Sequence, residues 1–263
     1  MKVAIIQMTS KLDYKENLSK IESMLDTVSS ENIEAVFLPE CFYSMSNGQS
    51  PSPHLIEDEN LHYQNIKNLS IKYKMAFIGG SVATRIGDSI VNRSYNFDAE
   101  GNELGRYDKI HLFSCNIQRG DIKKKINEGD IYTPGTASKL INLKQLAIGL
   151  GICFDLRYSE MALAYRKQGA NLLTYASAFT VPTGKAHWHT LVRARAIESQ
   201  CFVIASAQWG ANNDKIQTYG HSLIVDPWGE ILIDAEQGES IHTCELDLDK
   251  VDLSRSQVIM GRE

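Results

Sequence analysis

Seven short apolar runs, rich in Val, Ile and Phe, recur along the whole chain, at residues 3–7, 35–38, 76–80, 145–153, 172–176, 202–207 and 222–225. Runs of this length bounded by polar residues read as buried strands, and a strand that is apolar on both faces needs cover on both sides. The cover lies between them. Residues 17–28, 61–73, 159–168 and 186–200 carry apolar side chains at threes and fours with polar ones between, which is the helical period. The alternation predicts an α/β protein. Two hairpin patterns add antiparallel strands: 92–97 returning through Asp98-Ala99-Glu100-Gly101 to 104–107, and 222–225 returning through Asp226-Pro227-Trp228-Gly229 to 231–234. Such mixed sheets fit two packed sheets flanked by helices at least as well as one doubly wound sheet.

Nothing in the composition breaks the chain into parts. With 43% hydrophobic and 22% charged residues over 263 positions, and no Pro/Ser-rich or charge-rich linker, one domain over 1–263 is expected. The net charge of −5, and a single dense basic run at Lys123, Lys124 and Lys125 in a loop-like stretch between Asp121 and Glu128, argue against a nucleic-acid partner. The opening MKVAIIQMTS is too short for a signal-peptide core, and no later window approaches the roughly 20 apolar residues of a spanning helix. The expectation is a cytoplasmic protein with no membrane partner. Cysteines at 41, 115, 153, 201 and 244 are odd in number and lack paired spacing, so free thiols are expected.

Three reactive side chains fall at comparable places: Glu40 after EAVFLP, Lys109 after ELGRYD, and Cys153 closing QLAIGLGIC. Sites in α/β proteins form beyond the carboxyl ends of strands, where the sheet fixes side chains and the loops shape a pocket. Amide hydrolysis needs a nucleophile, a base that later returns its proton to the leaving amine, and a donor for the oxyanion. Cys, Glu and Lys supply those roles. An ammonium beside Cys153 favours its thiolate and Glu40 accepts the proton, so a free-thiol pKa of about 8.5 need not limit the reaction. The Phe154 N–H offers a second oxyanion donor. Taken singly, each residue also has a structural reading: Cys153 as strand filler, Glu40 as part of a loop cap, Lys109 as a solvated charge.

The wording around them changes the balance. LPE at 38–40, GRYDKIHLF at 105–113 and GICFDLRYSE at 151–160 closely resemble the three catalytic signatures of the nitrilase superfamily of carbon-nitrogen hydrolases. The resemblance implies an α-β-β-α four-layer sandwich, usually dimeric or larger. It implies Glu40 as general base, Lys109 as stabiliser of the tetrahedral intermediate, and Cys153 as the residue that forms a thioester. Glu128, in NEGDIYTPG, matches a further glutamate that holds the lysine, with a surface loop carboxylate as its structural alternative.

The stretches 177–210 and 219–232 resemble the branch that contains deaminated glutathione amidase, with ω-amidase as a neighbour sharing the TGxAHW element. In that branch Arg157, Phe179 and Thr183 match positions that bind the 2-oxo-acid end of a small amide. A guanidinium makes paired hydrogen bonds to a carboxylate, and an aromatic wall excludes water beside the thioester. Structurally, Arg157 has the alternative of pairing with Glu160 or Asp155, and Phe179 of being core.

The implied activity is hydrolysis of deaminated glutathione to 2-oxoglutarate and cysteinylglycine without metal or organic cofactor. The alternatives are an ω-amidase acting on 2-oxoglutaramate, another small-amide hydrolase of this fold, or a catalytically silent scaffold. His187 and His189 form an H-x-H pair, but residues two apart on a helix point in different directions and no accompanying Cys/His/Asp cluster is visible in the spacing, so no metal site is expected. His111 reads as a hydrogen-bonded structural residue, with a Cys-His pair still open. The branch commonly has HLFDV where this chain has His111-Leu112-Phe113-Ser114-Cys115, which places an extra thiol near the mouth of the expected pocket. The ending SRSQVIMGRE lacks the arginine-rich tail of many relatives.

Overall fold

Along Lys2–Gln7 (β1) successive side chains point to opposite faces, and both faces are buried. Val3 and Ile5 join one apolar cluster with Leu150, Ile152, Leu173 and Ile204, whereas Ala4 and Ile6 join another with Ile21, Leu25, Ile66 and Leu69. The same split recurs along Ala35–Phe37 (β2), where Ala35 and Phe37 face the first cluster and Val36 the second. Strand periodicity thus divides the molecule into layers: helix, sheet, sheet, helix. The computed structural model describes residues 1–119 and 122–260, with backbone alone for 117–119 and 122–125.

The first sheet adds Ala76–Ile78 (β3), Ser81–Ile86 (β4), Ser89–Phe97 (β5), Glu103–Asp108 (β6) and Ser240–Glu245 (β17), in the order β17-β1-β2-β3-β5-β4 with β6 beside β5. The second contains Leu140–Leu143 (β9), Leu146–Ile152 (β10), Leu172–Ala176 (β11), Phe202–Ala205 (β12), Leu223–Val225 (β15) and Ile231–Asp234 (β16), in the order β16-β15-β12-β11-β10-β9. Each sheet has a parallel centre, β1-β2-β3 or β10-β11-β12, with antiparallel strands outside it. Helices Tyr14–Thr27 (α1) and Leu61–Tyr73 (α2) cover the first sheet, while Ser159–Lys167 (α3) and Val181–Ser199 (α4) cover the second. Asp249–Gln257 (α5) follows β17. This is the expected α-β-β-α sandwich of two mixed sheets. No helix among the described residues is long and apolar enough to cross a membrane.

Helix α2 has the expected bounds because its start is written in the sequence: the Asn60 side chain accepts from the N–H groups of His62 and Tyr63. The 98–101 turn is likewise as expected, with Asp98 accepting from the N–H groups of Glu100 and Asn102 and Gly101 at φ +82°. Three features differ from the sequence reading. Helix α4 begins at Val181 rather than 186, since Pro182 is tolerated in a first turn, and Gly184 lets it press on Tyr219, where a Cβ would lie 2.3 Å from the tyrosine side chain. Strand β10 stops at Ile152, so Cys153 opens a turn instead of closing the strand. The run of Lys123, Lys124 and Lys125, read as loop-like, lies in a strand, Ile122–Asn127 (β8), paired with Ser114–Arg119 (β7); those lysine side chains and Asp121 are outside the described residues. A small hairpin of Trp209–Ala211 (β13) and Gln217–Tyr219 (β14) completes the strands. The last residues of the chain, 261–263, are also outside the described set.

Candidate active site

Three strand ends converge. Glu40 stands three residues beyond β2, Lys109 directly after β6, and Cys153 directly after β10, so the first sheet carries two of the groups and the second sheet the third. All three are buried, with 5%, 2% and 7% of their surface exposed. Cys153 sits at φ +48°, a left-handed conformation that costs energy in a residue with a Cβ and is found where surrounding structure fixes it. The turn it opens, Cys153–Arg157, is anchored by Asp155, which is fully buried.

Lys109 Nζ donates to Glu40 Oε1 at 2.8 Å and to both Glu128 oxygens at 3.0 and 2.7 Å. Glu128 is fixed in turn by the Phe113 N–H at 2.7 Å, and Asn92 Nδ2 reaches Glu40 at 2.9 Å and Glu128 at 3.4 Å. The lysine therefore balances two carboxylates rather than one. Burial alone would lower the Lys109 pKa, but Glu128 and Glu40 hold it well above its ordinary value, so the ammonium persists. Burial raises the Glu40 pKa, with Lys109 opposing and Glu128 adding to the rise, which makes it a stronger base than a solvated carboxylate. Cys153 shares the cavity wall with Glu40 and Ala178. Its thiol is pushed well up, first by burial and then by the Glu40 charge, against the pull of Lys109. Lys109 pulls Cys153 toward the thiolate as expected, but burial outweighs that pull, and a base already stands beside the sulfur.

Two supports of this cluster were not singled out from the sequence. Asp155 accepts from Tyr107 Oη at 2.7 Å, from the N–H groups of His111 and Ile152 at 3.0 and 2.8 Å, and lies 2.7 Å from His111 Nδ1. One buried carboxylate therefore ties the segment after Lys109 to the turn holding Cys153. His111 also stacks on Tyr158 at 3.4 Å, and its ring faces Asp155, as a hydrogen-bonded structural residue should. Asn92 was the second omission; an asparagine in the middle of an otherwise strand-like run is the signal that marks it.

The cluster lies in a solvent-open cavity of about 160 Å³. Phe154, Arg157, Phe179 and Thr183 line it with Glu40, Lys109, Glu128 and Cys153, so every singled-out site residue borders the same space. The Arg157 guanidinium lies over the Phe154 and Phe179 rings, 5.5 and 5.3 Å from their centroids. Its Nη2 is 3.3 Å from His187 Nδ1, while its Nε is buried without a hydrogen-bond partner. Among the described residues neither Glu160 nor Asp155 pairs with it. Phe179 packs on Trp188 at 4.9 Å and still lines the cavity, and Thr183 Oγ1 lies 3.0 Å from Thr180 Oγ1. The second thiol on the cavity wall is Cys41, next to Glu40, and not Cys115, which stands half-buried in β7.

The histidine pair does diverge along α4: His187 meets Arg157, whereas His189 turns to Asp234. The absence of a cluster does not hold, however. His189, His221 and Asp234 bring one nitrogen each and a carboxylate oxygen within 4.8 Å of one another. Spacings of 32 and 13 residues hide this grouping from a sequence reading.

Residues 2–256 match the carbon-nitrogen hydrolase family. The chain is 41% identical over 250 residues to the nitrilase and fragile histidine triad fusion protein NitFhit of Drosophila melanogaster, covering 94% of this chain and 53% of that protein. It thus spans about half the length of the NitFhit relatives it matches. It is also 32% identical over 262 residues to the deaminated glutathione amidase of a Synechocystis species, covering 97% of this chain and 94% of the relative. The omega-amidase of Saccharomyces cerevisiae is 32% identical over 272 residues, covering 100% and 92% of the two chains. The crystal structure of Saccharomyces cerevisiae Nit3, a member of the nitrilase superfamily, superposes with a TM-score of 0.88 at 31% identity over 100% of this chain and 96% of that one. By sequence and fold, the chain belongs to the carbon-nitrogen hydrolase family of the nitrilase superfamily.

Proposed function

We propose that this chain hydrolyses a small amide bearing a 2-oxo acid, through a thioester on Cys153. Glu40 takes the Cys153 proton as the sulfur attacks the amide carbon, and Lys109 with the Phe154 N–H holds the oxyanion. The tetrahedral intermediate collapses, the C–N bond breaks, and Glu40 returns the proton to the leaving amine. Water then attacks the thioester, giving its proton to Glu40 and releasing a carboxylic acid and the free thiol. Glu128 acts through Lys109 by positioning it. The reaction as written calls on no metal or organic cofactor.

The observation that carries the substrate class is Arg157. A guanidinium that has no carboxylate partner among the described residues, held between two aromatic rings on the wall that also bears Cys153, fits the carboxylate of an incoming substrate. Phe179 and Thr183 would flank it. Deaminated glutathione, cleaved to 2-oxoglutarate and cysteinylglycine, is the preferred substrate because 177–210 and 219–232 resemble that amidase branch. The second reading, ω-amidase action on 2-oxoglutaramate, is favoured by the equal 32% identity to the omega-amidase. We also propose a cytoplasmic homodimer or larger assembly, checked by sedimentation.

The test is release of 2-oxoglutarate from each substrate by the wild type and Cys153→Ala at equal concentrations. Cys153-dependent turnover preferring deaminated glutathione supports the first reading, and preference for 2-oxoglutaramate the second. Activity on neither removes the substrate assignment. A cellular role unchanged in Cys153→Ala would favour the silent scaffold.

A further inference from the structure

We propose that His189, His221 and Asp234 form a binding site for a divalent transition-metal ion, with His189 Nε2, His221 Nδ1 and Asp234 Oδ2 as its ligands. The three come from different elements: α4, the link between β14 and β15, and the end of β16. Asp234 Oδ2 is 2.9 Å from His189 Nε2 and 3.2 Å from His221 Nδ1. Around a tetrahedral Zn²⁺, neighbouring ligand atoms stand roughly 3.3 Å apart, so small side-chain movements would admit the ion.

The surroundings hold the ligands in place. Glu236 N–H donates to Asp234 Oδ1 at 2.8 Å, and His221 Nδ1 lies 2.9 Å from that same oxygen, so the carboxylate is oriented with both of its oxygens toward the imidazoles. His221 is held at φ +55°, a conformation uncommon outside glycine. Its backbone is pinned there by Trp188 Nε1 donating to its carbonyl at 2.6 Å and by its own N–H donating to the Glu236 carbonyl at 2.9 Å. A left-handed histidine whose ring meets a second histidine and an oriented carboxylate is a more specific arrangement than an isolated histidine–aspartate pair.

Two imidazoles and one carboxylate suit Zn²⁺ and its neighbours rather than Mg²⁺ or Ca²⁺, which prefer all-oxygen shells. The side chains of His189, His221 and Asp234 are 33%, 18% and 28% exposed, so the remaining coordination position is open to water or another donor. None of the three lines the Cys153 cavity. Yet α4 carries Thr183 on that cavity and His187 against Arg157, so an ion at His189 would brace the helix that supports the recognition side. The site is therefore assigned a structural role.

Isothermal titration of the chelator-treated full chain with ZnCl₂ tests this. Wild type and Cys153→Ala should each bind one ion per chain with the same affinity, which separates the site from the nucleophile. His189→Ala and His221→Ala should each weaken binding by more than roughly tenfold, the loss that even an outer-shell change produces. Zn²⁺ should raise the melting midpoint of the wild type and not that of His189→Ala. Should His221→Ala fail to fold, His189→Gln at the partly exposed helix position carries the same comparison. Co²⁺ spectra should show nitrogen and oxygen ligation without thiolate charge transfer. The proposal is overturned by no saturable binding, by binding indifferent to both His189 variants, or by binding lost in Cys153→Ala.

Discussion

The two ends of the cavity are built on opposite principles. At the chemical end, Glu40 and Lys109 are almost wholly buried, Glu128 is partly buried, and each hydrogen-bonds within the protein. At the recognition end, Arg157 is half-buried, clamped by rings, and keeps a buried Nε without a partner. The first end is complete before substrate arrives, whereas the second has unused donors. Preorganised charge costs no rearrangement when the oxyanion forms, and unused donors supply the affinity that selects the substrate.

If this contrast is right, changes at the two ends should fail in different ways. The largest effect is expected from Cys153→Ala, which should lower kcat on the order of 10⁴-fold or more while leaving the melting midpoint close to wild type. Next comes Lys109→Ala, which leaves the buried Glu40 and the partly buried Glu128 without the cation they share. It should cost about 3–5 kcal/mol in urea unfolding as well as abolishing turnover. Stability unchanged in that variant would show the cluster to be wetter than its burial indicates.

Arg157→Leu should break the other end alone. We expect KM for a carboxylate-bearing amide to rise roughly 10- to 100-fold, the worth of a charged hydrogen-bonded contact, with little change for a neutral amide. An equal loss on both substrates would dissolve the distinction. The smallest effects concern pH. Because burial raises Glu40, kcat/KM should fall as pH falls through a value above the ordinary glutamate pKa of about 4.3, since protonation removes the base. Lys109 is raised despite its burial, so its stabilising contribution is full below about pH 10.4 and is lost as pH rises through its folded value. Urea midpoints across alkaline pH would display that loss in the wild type.

Much of this was legible beforehand, and unevenly. The strand and helix periods gave the layers, because apolar periodicity reports directly on which faces are buried. The side chains that the strand ends and the family signatures singled out border one cavity. The sequence reading went wrong where a tertiary contact overrode a local signal. The helix expected from 186 starts at Val181, where Gly184 makes room for Tyr219 to pack. Asp155 and Asn92 were passed over because their importance lies in partners 44 and 52 positions away. The Cys153 pKa was misjudged by weighing its neighbour Lys109 without the burial that outweighs it. The grouping of His189, His221 and Asp234 depends on three elements meeting and has no local pattern.

The central claim is a single acyl-enzyme on Cys153, formed at the prebuilt end of the cavity whichever amine leaves. Rapid acid quenching during turnover, followed by peptide mass mapping, addresses it directly. The account predicts the same acyl mass on the Cys153 peptide from deaminated glutathione and from 2-oxoglutaramate, and neither adduct nor product with Cys153→Ala. Undiminished release of 2-oxoglutarate by Cys153→Ala, or an adduct on another cysteine, would contradict it.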